Sequence, residues 1–171
     1  VRLGDATGNV VYDASRGRFW ITVERAGKAD QVVAVDPTTA GVGARLDLPG
    51  CEGAHGLRLH PDAASAFIAC EDNDVLCRID LASGTVTTGP TPHGPDVLAV
   101  DPGIGWLYVA AEGGDVTMYD LDGTGVTRIG QQDVGRNAHT VAVDPTTHHV
   151  FFPLAKGPGG TPILRIMTPR P

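Results

Sequence analysis

An all-β fold built from about four repeated four-stranded units is predicted by three observations. Short apolar runs alternate with turns along the whole chain. With 23 Gly and 13 Pro among 171 residues, about one residue in five is a turn former, against an average near 12%, which leaves no room for long helices. Four segments also superpose without a gap: NVVYDASRGRFWITVE (9–24), GLRLHPDAASAFIACE (56–71), VLAVDPGIGWLYVAAE (97–112) and TVAVDPTTHHVFFPLA (140–155). Each is an apolar run, a turn and a second apolar run, anchored at Asp13, His60, Asp101 and Asp144 with spacings of 47, 41 and 43.

The first strand of each unit alternates, so Val10/Tyr12, Leu57/Leu59, Leu98/Val100 and Val141/Val143 share one face. The second strands, FWITV, AFIAC, WLYVAA and VFFPL, are apolar on both faces and are expected to be the most deeply buried. A third strand leads to a second acidic turn in VVAVDPTTAG (32–41), CRIDLASG (77–84) and MYDLDGTG (118–125), with LRIMTPRP (164–171) as the last copy. Less regular fourth strands follow at Ala44–Leu48, Thr85–Thr88 and Val126–Gly130.

Four strands in a period of about 40–45 residues is the signature of a β-propeller blade. A β-sandwich also uses short strands and frequent turns, but it does not predict four collinear copies. The expectation is therefore one β-propeller domain over 1–171, with blades at 9–49, 50–91, 92–132 and 133–171. The fourth unit stops after a third strand at Ile163–Met167, and Val1–Leu3 is the expected outer strand that closes it. Three states remain open: a closed four-blade ring, two chains completing an eight-blade ring, or a half completed by a missing N-terminal part. The start at Val1, without an initiator Met, points to a processed form or a piece of a longer chain.

Charge excludes some partners. With 13 Lys+Arg against 20 Asp+Glu the net charge is −7, and no basic stripe with interleaved aromatics offsets it, so nucleic acid and anionic lipid are not expected. No apolar run approaches the ~20 residues of a membrane-spanning helix.

The repeat singles out one chemical position. Five residues before the anchors stand Gly8, His55, Asp96 and His139, at the entry of the innermost strand; eleven residues after them stand Glu24, Glu71, Glu112 and Ala155, at the exit of the second. Because these strands are antiparallel neighbours, both positions lie at one end of the domain, around the central channel. The expected pairs are His55 with Glu71 and Asp96 with Glu112, and His93 and Asp72 join the rim. Imidazole with carboxylate suits a divalent metal such as Zn, and a carboxylate-rich set suits Ca. The same groups serve as general acid and base when crowding separates their pKa values. Alternatively they are solvated residues that bond loop amides.

Other residues are read as structural. Asp13, Asp101, Asp144, Asp36, Asp80 and Asp120 are turn caps, and His60 takes an anchor position of the same kind. His148 and His149 are surface turn residues, and GPGG (157–160) is a hairpin loop. No serine lies in G-x-S-x-G. Cys51 and Cys70 flank one hairpin closely enough for a disulfide, with Cys77 able to compete for Cys70; in a reducing compartment all three would be buried thiols.

The phrases GNVVYDASRGRFWITV, CEGAHGLRLHPDAASAFIAC, HTVAVDPTTHHVFFPL and RIDLASGTV resemble the YVTN-type β-propeller repeat family, related in fold to lactonase-like propellers. The resemblance covers nearly the whole chain, although the family's own tetrapeptide is absent; its nearest counterparts are Phe19–Val23 and Leu107–Ala111. Members usually carry about seven blades, so the chain resembles the C-terminal four blades of one, or a half-propeller. Many relatives are exported, which implies a secreted or periplasmic location. Three functional expectations follow: a binding or scaffold propeller holding a metal or small polar ligand at His55, Asp96, His139, Glu24, Glu71 and Glu112; a metal-dependent lactonase-like hydrolase in which His55 or His139 moves a proton; and a protein-interaction propeller without a ligand site.

Overall fold

The alternating runs form fifteen strands in the computed structural model, which describes residues 1–170. Pro171, the last residue of the fourth predicted unit, lies outside the described residues. The first sheet holds β1 (Ala6–Asp13), β2 (Arg18–Glu24), β3 (Asp30–Val35) and β4 (Val42–Leu48). The second holds β5 (Ala54–Leu59), β6 (Ser65–Cys70), β7 (Val75–Asp80) and β8 (Val86–Pro90). The third holds β9 (Pro95–Asp101), β10 (Trp106–Ala111), β11 (Asp115–Asp120) and β12 (Arg128–Asp133). The fourth holds β13 (Ala142–Asp144), β14 (His149–Leu154) and β15 (Ile163–Met167), and a short 3-10 turn, Pro158–Gly160, lies within GPGG. Every sheet is an antiparallel meander in chain order, and no α-helix occurs among the described residues. The chain is a four-blade propeller arc.

One expectation about the ends is corrected, and one of the three open states is set aside. Val1–Leu3 form no strand; the Leu3 carbonyl instead accepts a bond from Arg45 of β4 at 3.1 Å, so the segment lies against the first sheet and not on the edge of the fourth. The first strands pack in sequence, β1 on β5, β5 on β9 and β9 on β13, but β13 does not pack on β1, so the four blades do not form a closed ring within one chain.

The core is divided into three layers, one between each pair of adjacent sheets. Trp20, Val32 and Leu48 meet Ile68, Cys77 and Ile79. Phe67 and Leu76 meet Leu98, Leu107 and Tyr119. Tyr108 and Val116 meet Val150, Phe152 and Leu154. All six residues of β6 are buried between its two neighbouring blades, and all six of β3 are buried as well, although its sheet packs on one neighbour within the chain. Each large side chain buried in this way contributes about 1.5–3 kcal/mol.

At the end of the sheets that carries the anchors, several residues read as simple turn or surface groups tie neighbouring blades together. Asp13 is buried and accepts bonds from Ser15 Oγ (2.6 Å), the Arg16 amide (3.1 Å) and Trp20 Nε1 (3.2 Å), while the Arg16 guanidinium also donates to the Ala63 carbonyl in the next sheet. His60 Nε2 donates to the Leu121 carbonyl of the third sheet at 3.2 Å. His148 Nδ1 lies 2.9 Å from the buried carboxylate of Asp101, linking the fourth sheet to the third, so His148 is an inter-blade residue. By contrast Asp36, Asp80, Asp120 and Asp144 cap amides two residues on, at 2.7, 3.0, 3.1 and 2.9 Å, as turn chemistry predicts.

Burial alone would raise the Asp13 pKa, but the bonds from Ser15, Arg16 and Trp20 outweigh it and bring it down to about 2. A carboxyl depressed in the folded state stabilises the fold above its unfolded pKa and loses that contribution as pH falls through the folded value. Acid titration from pH 4 to pH 2 is therefore expected to remove about 2 kcal/mol that Asp13→Asn has already lost. Parallel denaturation of wild type and variant checks this; equal acid slopes would show that Asp13 does not carry it.

Candidate functional site

The other end of the sheets carries the His and acid positions, and a repeated irregularity sets their directions. In three units the first strand places two residues opposite one of the second: Gly8 and Asn9 opposite Thr22, His55 and Gly56 opposite Ala69, Asp96 and Val97 opposite Ala110. These are β-bulges, which bend a strand and re-aim the side chain at the bulge. Adjacent bulges are tied to one another. Thr22 Oγ1 donates to the His55 carbonyl at 2.9 Å, and the Val97 amide donates to the His139 carbonyl at 3.2 Å. The structure thus draws His55 of β5, Asp96 of β9 and His139 of the β12–β13 connection into a row across three blades.

Asp96 is the centre of that row. Its Oδ2 lies 2.7 Å from His139 Nδ1, and its Oδ1 lies 3.6 Å from His55 Nε2. His55 Nδ1 is in turn 3.9 Å from Glu71 Oε2. Asp96 is buried, while the two imidazoles and Glu71 are half-exposed and reachable by a ligand. The Glu71 carboxyl titrates above its ordinary range. Burial is the main cause; the His55 imidazole opposes it, and the charges of Asp96, Glu112 and Asp72 add to it.

The remaining predicted residues are placed less centrally. Glu71 and Glu112 occupy equivalent positions, their amides bonded to the Gly53 and Gly94 carbonyls at 2.9 and 2.8 Å, and Glu112 acts on the row through its charge on Glu71. Glu24 is separated from it and lines a second depression of about 740 Å³ with Asp5, Asp30 and Asp72. His93 pairs with Asp74 at 3.3 Å at the rim. Two acids that the repeat did not single out clamp blades at this end: Asp30 accepts from the Ala54 amide at 2.9 Å, and Asp74 accepts from the Gly94 amide at 2.9 Å. Their spacing of about one repeat was the available signal.

The fit to a metal ion is a matter of convergence. Among the described residues the set of three His, Cys, Asp or Glu ligand atoms lying within 4.8 Å of one another is Cys51, Cys70 and Cys77. The His and acid row is stretched along Asp96, with its two imidazoles on different carboxylate oxygens, and does not enclose an ion in this arrangement. The sulfur set does not fit one either, because Cys51 and Cys70 are bridged and burial pushes the Cys77 thiol up to about 12.

No protein-family model matches the chain, and no curated protein matches it in sequence. Solved structures do match. Hydrazine synthase of Kuenenia stuttgartiensis is similar over 98% of this chain and 53% of its own, with a TM-score of 0.74 and 13% identity. A putative 6-phosphogluconolactonase of Bacteroides uniformis is similar over 95% of this chain and 52% of its own, with a TM-score of 0.68 and 13% identity. One of Bacteroides fragilis is similar over 85% and 47%, with a TM-score of 0.68 and 13% identity. At that identity the likeness is one of fold, and the chain spans about half the length of each structure.

Proposed function

We propose that this chain is a binding propeller, of the YVTN type its repeats resemble, which takes a small neutral or cationic polar ligand at the His55–Asp96–His139 row. The observation that carries this reading is the sharing of one buried carboxylate by two half-exposed imidazoles from different blades. Such a row offers a charge-assisted acceptor at its centre and imidazole nitrogens on either side. The surrounding carboxylates of Glu71, Asp72 and Glu112 set the sign of the ligand, because an anion would meet like charge on a chain of net charge −7. The disulfide between Cys51 and Cys70 supports a secreted or periplasmic location, where such bonds persist.

Calorimetric titration with tetramethylammonium, a small organic cation, and with a neutral aldonolactone tests the reading. At least one of these is expected to bind, and Asp96→Asn or His139→Ala is expected to weaken that binding by about tenfold or more, since a bond to a charged group contributes about 1.5–3 kcal/mol. Affinities unchanged in both variants would remove the row as the site.

A hydrolase is the second reading, favoured by one contact. Asp96 holds His139 through Nδ1 at 2.7 Å, which orients the ring and leaves Nε2 to take a proton from water. Two of the similar structures are putative 6-phosphogluconolactonases, but a phosphorylated lactone is an anion and the acidic end disfavours it. Turnover of the neutral lactone that disappears in His139→Ala would establish the hydrolase; binding without turnover leaves the binding propeller.

A further inference from the structure

Three sulfurs converge in the layer between the first and second sheets, apart from the row that Asp96 centres. Cys51 reaches this point from the turn after β4, Cys70 from the end of β6, and Cys77 from β7, where it pairs with Ile68. All three are buried, their Sγ atoms lie within 4.8 Å of one another, and Cys77 Sγ is 3.5 Å from Cys70 Sγ. Trp20, Val32, Leu48, Ala54 and Ile68 pack in the same layer and offer no ligand atom, so the set ends at three. Bridged, it holds no ion. Yet Cys51 also lines the depression of about 740 Å³, so the bridge between Cys51 and Cys70 is reachable from solvent.

We propose that the reduced chain binds one trivalent metalloid hydroxide of the arsenite class on these three sulfurs, and that the bridge closes the site. A small neutral dithiol opens it by thiol–disulfide exchange: the dithiol gives up two electrons and two protons and becomes a disulfide, while Cys51 and Cys70 become thiols free to move apart. Each of the three thiols then displaces one hydroxyl. Three As–S bonds form, three As–O bonds break, and each thiol proton leaves with the hydroxyl as water, with no further change of oxidation state. Charge selects this class among the soft acceptors that sulfur favours. A trivalent centre on three thiolates is neutral, which an apolar layer tolerates. Zn²⁺ would leave one negative charge there and lack its fourth ligand, and Cu(I) would leave two negative charges. Entry follows the same rule, because Glu24, Glu52 and Asp72 line the depression and repel an anion but not a neutral hydroxide.

Native mass spectrometry of the full chain with arsenite as the probe, before and after reduction by dithiothreitol that is then removed, tests this. One arsenic is expected on each reduced chain and none on the unreduced one, and X-ray absorption at the arsenic edge is expected to count three sulfurs. Cys77→Ala, which keeps the layer apolar, is expected to bind about tenfold or more weakly, since one of three linked ligands is lost. Arsenite is expected to raise the thermal midpoint of the reduced wild type, because it binds the folded arrangement of the sulfurs. Uptake by the unreduced chain, no uptake by the reduced one, two sulfurs at the arsenic, equal affinity in Cys77→Ala, or Zn²⁺ bound as tightly as arsenite each overturns the inference. If reduction unfolds the chain, arsenite is expected to restore its circular dichroism spectrum, and failure to do so overturns it as well.

Discussion

Gly56→Ala is expected to destabilise the fold by about 3 kcal/mol and to abolish ligand binding at the Asp96 row, because the added methyl group has nowhere to go. A Cβ at Gly56 would lie inside van der Waals contact with the Asp96 carbonyl oxygen, 2.6 Å from Leu98 Cδ1 and 3.0 Å from Ala69 Cβ. The nearest of these is backbone, which cannot rotate aside as a flexible side chain would. β5 and β9 must separate, and Asp96 moves with β9. Gly125→Ala is the control, since a Cβ there meets nothing within 4 Å, and surface changes of that kind stay within about 0.5 kcal/mol. Urea denaturation of the two variants measures the difference; equal midpoints would show that the blades part without cost.

Replacing Cys51 and Cys70 together by alanine is expected to cost about 3 kcal/mol, the loop-closure contribution of a bridge across 19 residues. All three cysteines are buried, and Cys77 Sγ lies 3.5 Å from Cys70 Sγ, so exchange of partners needs consideration. Strand register opposes it. Cys70 pairs with Val75 and Cys77 with Ile68, which makes the two cysteines diagonal neighbours with Cβ atoms roughly 7 Å apart, whereas a disulfide needs about 3.8 Å. A thiol count on denatured, unreduced protein should therefore find one thiol in wild type and two in Cys51→Ala. No thiols in Cys51→Ala would mean that Cys77 has captured Cys70 after all.

Much of the fold was legible because the anchors Asp13, His60, Asp101 and Asp144 recur with enough regularity to fix the strands between them. Third strands are recovered closely; Ile163–Met167 is found with its predicted limits. The site was legible as a set but not as contacts. Alternation assigns each residue to a face only while the period of two holds, and the bulges at Gly8–Asn9, His55–Gly56 and Asp96–Val97 interrupt it where the chemistry lies. Register alone placed Glu112 beside Asp96, and the structure gives that place to His139. A glycine beside His55 in an otherwise alternating run was the available sign of a bulge. The ties made by Arg16, His60 and His148 could not be read from turn chemistry, since each depends on which blade lies next to the turn.

The row that Asp96 centres spans the second, third and fourth blades, and this has a consequence for how the chain moves. In an array whose units touch only their neighbours, each unit opens locally by losing its interfaces to those neighbours. His139 enters the fourth sheet and Asp96 lies in the third, so the pair straddles the interface between them. A molecule held by both therefore acts as a latch on the last blade, and its binding energy adds to the docking of that blade instead of being confined to the pocket. Amide exchange in β14 and β15 should then report occupancy of a cluster that neither strand touches.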